Sequence, residues 1–178
     1  MSRRAAATAR RRTAYHHGDL RAALVTAATA LLAAVAEDGF RQLQRAIARA
    51  ARPHRRDPIA ALRAMAIALV RFAASHPSHY RLMSGPAVRG RDHPALRDAA
   101  VAAWELLAGG IKRCQRAGRI RPGDPVELSF ALWCTVHGLA VLAVDEQIPA
   151  DVLKAVPLEQ LAEHTTRCLL EGLAPRPS

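Results

Sequence analysis

Residues 19–38 read DLRAALVTAATALLAAVAED, with no Gly, Pro, Asn or further Asp between Asp19 and Asp38. Those residue types make turns, so no turn can be placed inside this stretch. Around it, Leu20, Leu24, Ala27, Leu31, Val35, Gly39, Leu43 and Ile47 recur at spacings of three and four. That spacing puts them on one face of a helix, predicted to open at Gly18-Asp19 and to stop before Pro53. Unbroken, it would be roughly 50 Å long at the helical rise per residue. Gly39 is expected to weaken it in the middle.

Downstream, Pro and Gly divide the chain into further helical blocks. Asp57-Pro58 and Asp124-Pro125 are helix starts, because Asp accepts from free N–H groups and Pro fits the first helical turn. The first block carries Ile59, Leu62, Met65, Ala66, Leu69 and Phe72 on one stripe; the second is apolar nearly all round to Val144. His76-Pro77 opens a short helix, Pro94 opens one that Gly118 ends, and Pro157 opens the last, closed by Gly172. Ile148–Val156 reads as a turn-like link. No alternating strand pattern or hairpin signal persists anywhere. The expectation is an all-α fold of about six helices.

Composition agrees. Of 178 residues, 51% are hydrophobic, 4% aromatic and 39 are Ala, which favours helix over strand. The stretch Leu128–Val144 contains Ser129, Thr135, His137 and Gly138 and reads as a helix buried among helices rather than a membrane span. Cys114, Cys134 and Cys168 are odd in number and far apart, the pattern of reduced thiols in a cytoplasmic protein. No apolar segment follows the basic N-terminus, so no signal peptide is expected.

The formal charge is +11, and Arg3, Arg4, Arg10, Arg11 and Arg12 sit in the first seventeen residues with no acid. Residues 1–17 are therefore read as a basic disordered tail that contacts phosphates without reading sequence. Catalytic and cofactor signatures are missing: there is no phosphate loop, dinucleotide fingerprint, nucleophile elbow or H-E-x-x-H. Asp145 and Glu146 are adjacent at a helix end and make a poor acid–base pair. No enzyme activity, metal or cofactor is expected. The scarce aromatics Tyr80, Trp104, Phe130 and Trp133, with Met83 and His137, are expected around an apolar small-ligand pocket, His137 being the polar group that orients the ligand. The bland alternative is that His137 bonds a backbone carbonyl and Gly138 permits close helix packing.

Tyr15-His16-His17-Gly18-Asp19-Leu20-Arg21 is similar to the opening of TetR-family (tetracycline-repressor-like) transcriptional regulators. Leu31–Phe40 resembles the helix that follows the DNA-reading unit in those proteins. Trp133-Cys134-Thr135-Val136-His137-Gly138 and the His76-Pro77…Tyr80-Arg81-Leu82-Met83 element resemble the WHG type of C-terminal regulatory domain. The resemblance implies a TetR-like bundle that binds a small molecule and forms a homodimer, here through helices 125–144 and 157–171. It also implies a helix-turn-helix between the first two segments, and Leu31-Leu32 joins them directly instead. A fused helix over residues 18–52 would then replace the DNA-binding domain, with residues 53–173 as the ligand-binding and dimerisation bundle. Base readout needs a helix in the major groove. None is available, so DNA binding is expected to be weak or non-specific. The alternative is a modulator that heterodimerises with an intact TetR-type repressor.

Overall fold

A computed structural model describes the backbone of residues 3–175 and the side chains of residues 19–175. Among the described residues seven α-helices follow one another: α1 (Arg3–Ala51), α2 (Pro58–Ser75), α3 (Pro77–Ser84), α4 (Pro94–Arg116), α5 (Pro125–Val144), α6 (Ala150–Ala155) and α7 (Leu158–Gly172). Short 3₁₀ turns sit at Arg52–His54 and Gly90–Asp92. Among the described residues there is no strand.

The expected starts are built as the residues dictate. Asp57 accepts from the amides of Ile59 and Ala60 at 3.0 and 3.1 Å, and Asp124 accepts from Val126 N–H at 2.8 Å. At the end of α4, Gly118 takes φ +65° and the Arg119 N–H reaches back to Cys114 O at 2.9 Å, closing the last turn. Two expectations are corrected. The link 148–156 contains the short helix α6, bringing the count to seven. The boundary between a disordered segment 1–17 and a helix from Gly18 gives way to a helix from Arg3, since Ala and Arg are both strong helix formers and one glycine does not stop them.

α2 is the central element. It packs against α1, α3, α4, α5 and α7, and its Leu62, Met65, Ala66, Val70 and Ala73 are almost wholly removed from solvent. Each fully buried large side chain of this kind is worth about 1.5–3 kcal/mol. Ile47, Ile111, Leu132 and Val136 complete the main core. Gly110 permits a close approach, for a Cβ there would sit 2.6 Å from Leu62 Cδ1. A second, smaller core joins Ala33 and Ala36 of α1 to Val88 and Leu96, with Phe40, Leu82 and Met83 packed on it.

The apolar stripe of α1 is only half used. From Ala33 onward it is buried, whereas Leu20, Leu24 and Leu31 remain 57–67% exposed because no element lies against them. By length and composition alone, the 19–54 span, α2 and α5 are long and apolar enough to cross a membrane.

Candidate ligand-binding site

Five helices converge on one cavity of about 250 Å³. α1 brings Phe40, Leu43 and Ile47; α2 brings Leu69; α3 brings Tyr80, Met83 and Ser84. α4 adds Trp104 with Ala100, Ala103 and Leu107, and α5 adds Trp133 and His137. The helical register explains the convergence: residues three and four apart on each helix present to one point. The alanines on α4 supply space, and the indoles of Trp104 and Trp133 supply flat apolar wall.

No charged side chain lines the cavity. Its polar row is Ser84, Tyr80 and His137. The Tyr80 hydroxyl lies 2.7 Å from His137 Nδ1, and the His137 ring stacks on Trp133 with centroids 4.6 Å apart and planes within 9°. Burial pushes the Tyr80 phenol well above its ordinary pKa, opposed by a hydrogen bond from Ser84. Burial also lowers the His137 pKa, favouring the neutral ring. The phenol is the more acidic partner of the pair, so Tyr80 donates to Nδ1. The neutral imidazole then carries its proton on Nε2, which has no hydrogen-bond partner among the described residues. The site offers stacking surface and the His137 Nε2–H as a donor.

Of the six residues expected at a ligand site, Tyr80, Met83, Trp104, Trp133 and His137 are brought together. Phe130 is not, and that expectation is corrected. It is 55% exposed on the outer side of α5, touching only the rim through Trp133 at a ring distance of 5.7 Å. One helical turn separates the two aromatics, and only Trp133 turns inward. The bland alternative also changes: His137 bonds a side chain rather than a carbonyl, and a Cβ on Gly138 would meet nothing within 4 Å. The contribution of α1 was missed. Its signal was Gly39, where an added Cβ would lie 2.6 Å from Met83 Sδ. The glycine lets Met83 reach the cavity across the helix.

The remaining chemistry is elsewhere. The buried Cys114 thiol is pushed up to about 11 by desolvation, which keeps it protonated and unreactive. Cys134 and Cys168 are exposed. His76 Nδ1 lies 3.1 Å from Phe72 O at the end of α2, a local contact rather than part of a ligand set. Among the described residues, no group of three or more His, Cys, Asp or Glu is placed to hold a metal ion. The Arg3, Arg4, Arg10, Arg11 and Arg12 side chains lie outside the described residues.

Residues 62–169, which include the α2–α5 part of the cavity, match the family described as "Tetracyclin repressor-like, C-terminal domain". The chain belongs to the TetR family. A protein of unknown function from Rhodococcus sp. RHA1 is similar in structure, with a TM-score of 0.70 and 29% identity over 82% of this chain and 73% of that one. A regulatory protein of the TetR family from Rhodococcus RHA1 shares the fold, with a TM-score of 0.63 and 16% identity over 84% of this chain and 75% of that one. No curated protein matches. Within the TetR family frame, the matched segment is the C-terminal domain, and the cavity lies between that domain and the second half of α1.

Proposed function

We propose that this chain is a non-enzymatic, cytoplasmic TetR-family regulator. On this reading it senses a small, neutral, flat apolar ligand and pairs with a second copy, with operator reading lost. The observation that carries the sensing role is the uncharged cavity bearing the Ser84–Tyr80–His137 row against Trp133. An ionised ligand would be stripped of water there with no counter-charge to meet it. A planar ketone would stack on the indoles and accept from His137 Nε2. The test is thermal unfolding with 2-acetonaphthone, naphthalene and 2-naphthoate. The ketone should raise the Tm most, since a ligand at a hundred times its Kd adds about 2.7 kcal/mol. Absence of any shift with the neutral compounds sinks the reading.

Dimerisation is supported by α5, which leaves Val126, Phe130 and Leu142 exposed on a predominantly apolar helix beside α7. An apolar face of this kind fits a two-fold helical contact. Light scattering at micromolar concentration should give twice the chain mass, and Phe130→Glu should give a monomer. A monomeric parent chain removes the proposal.

Loss of operator reading is supported by α1, which runs from Arg3 to Ala51 without the turn that sets off a recognition helix. The same combination favours a second reading, in which the α5–α7 face pairs with an intact relative and withdraws it from DNA. Gel shifts on the DNA upstream of its own gene separate these from an operator reader. Tight, sequence-selective binding at physiological salt overturns both.

A further inference from the structure

Six of the eight ion pairs among the described residues fall away from one end of the bundle, and the other two, Arg63–Glu163 and Arg167–Glu171, border it beside Arg119. Arg41, Arg45, Arg63, Arg71, Arg81, Arg91, Arg97 and Arg167 each meet a carboxylate. Where α1 turns into α2 and α4 turns into α5, the arginines meet none. α1 and α4 run in the same direction, with Gln44 bonded to Ala99 O at 2.7 Å, so both helices finish at the same end. Arg52, Arg55 and Arg56 come from the first turn, and Arg116, Arg119 and Arg121 from the second. All six are exposed.

The two turns are adjacent in space. Asp57 is held below the ordinary carboxylate range by the Ala60 and Ile59 amides and then by the charge of Arg119. Of the acids at this end, Asp57 and Asp124 are committed to capping helices and Glu171 faces Arg167. The Arg52–Asp57 turn surrounds a hollow of about 480 Å³. The six arginines less Asp57 and Asp124, together with the first seventeen residues, carry nine of the +11 excess. Concentrated, unpaired like charge costs folding energy.

We propose that the end of the bundle formed by the 52–57 and 116–121 turns is a docking surface for the phosphate backbone of duplex DNA, separate from the N-terminal arginines and independent of the cavity. Arginine forks match phosphate geometry, and this end carries arginine with Lys112 as its only lysine. Membrane-surface sites add several apolar side chains that enter the lipid, whereas among the described residues Val126 is the one large exposed apolar side chain beside these turns. Phosphate contacts give binding without sequence preference and with steep salt dependence.

The test is fluorescence anisotropy of a labelled 24-base-pair duplex of arbitrary sequence with the full chain, titrated with salt. R52A/R55A/R116A/R119A should lower the slope of log K against log salt by about 3–4, as four lost phosphate contacts require. It should also weaken binding at least tenfold at low salt. The charge-preserving R52K/R55K/R116K/R119K should keep the slope, which separates charge from folding. Neutralising Arg3, Arg4, Arg10, Arg11 and Arg12 instead should leave the contribution of the turns intact. An unchanged slope in the four-alanine variant overturns the proposal. So does equal or tighter binding of anionic phosphatidylglycerol vesicles or polyglutamate at the same ionic strength.

Discussion

α1 contains two halves of similar composition and opposite fate. In the second, Ala33, Ala36, Leu43 and Ile47 are 0–5% exposed and bear on α2, α3 and α4. In the first, Leu20, Leu24, Val25 and Leu31 are 57–67% exposed. Both halves carry the three-and-four spacing of one apolar face. The spacing says which side of a helix seeks burial; it does not say that anything lies there. Only the half that the bundle reaches becomes core, and only that half lends residues to the cavity.

The strongest way to break this contrast is Ile47→Ala. The side chain is fully buried and lines the cavity, so truncation should cost about 2–5 kcal/mol in urea unfolding. A loss under 1 kcal/mol would mean that the second half of α1 is held loosely. Within the same packed region, Tyr80→Phe removes the hydrogen bond to His137 and should cost about 1 kcal/mol. His137 itself should leave a mark on pH dependence. Its folded-state pKa lies below the ordinary 6.5, so the unfolded chain binds the extra proton first as pH falls. The stabilisation is complete above pH 6.5 and is lost as pH drops through the lower folded value. His137→Phe should flatten that part of the stability curve relative to the parent. An unchanged slope would place the imidazole in water.

Gly39, where the two halves give way to one another, sharpens the boundary further. Alanine there improves helix propensity by about 0.5–1 kcal/mol but drives a Cβ against Met83 Sδ. Gly39→Ala should therefore destabilise the parent chain and stabilise a Met83→Ala background, both measured by thermal unfolding. Stabilisation in both backgrounds would show that Met83 yields freely and that the glycine is not needed for its approach.

Much of this was legible in the residues. The Asp-Pro starts, the Gly118 stop and the stripes of α2 and α4 are local signals, and local hydrogen bonding decides them. The five cavity residues were legible because scarce aromatics on separate helices have few places to go. Phe130 shows the limit: on a helix apolar all round, periodicity cannot say which face turns inward, and only the packing of α2 and α4 against α5 decides. The pairing of Tyr80 with His137, fifty-seven residues apart, is a tertiary contact with no local trace. The charge of the turns was visible as composition, but its freedom from carboxylates depends on where every acid lands.

The smallest expected effect is the most discriminating for the contrast itself. Leu24 is 61% exposed and touches no core residue within the chain, so Leu24→Ala should change stability by less than about 0.5 kcal/mol at low protein concentration. Alanine also favours helix slightly over leucine, so propensity adds no penalty. The measurement gains force when repeated at rising concentration. If the cost of Leu24→Ala grows with concentration while that of Ile47→Ala stays fixed, a second copy covers the first half of α1. If both stay fixed, the exposed leucines carry no energy in solution, and the fold's stability rests wholly on the helix from Ala33 onward.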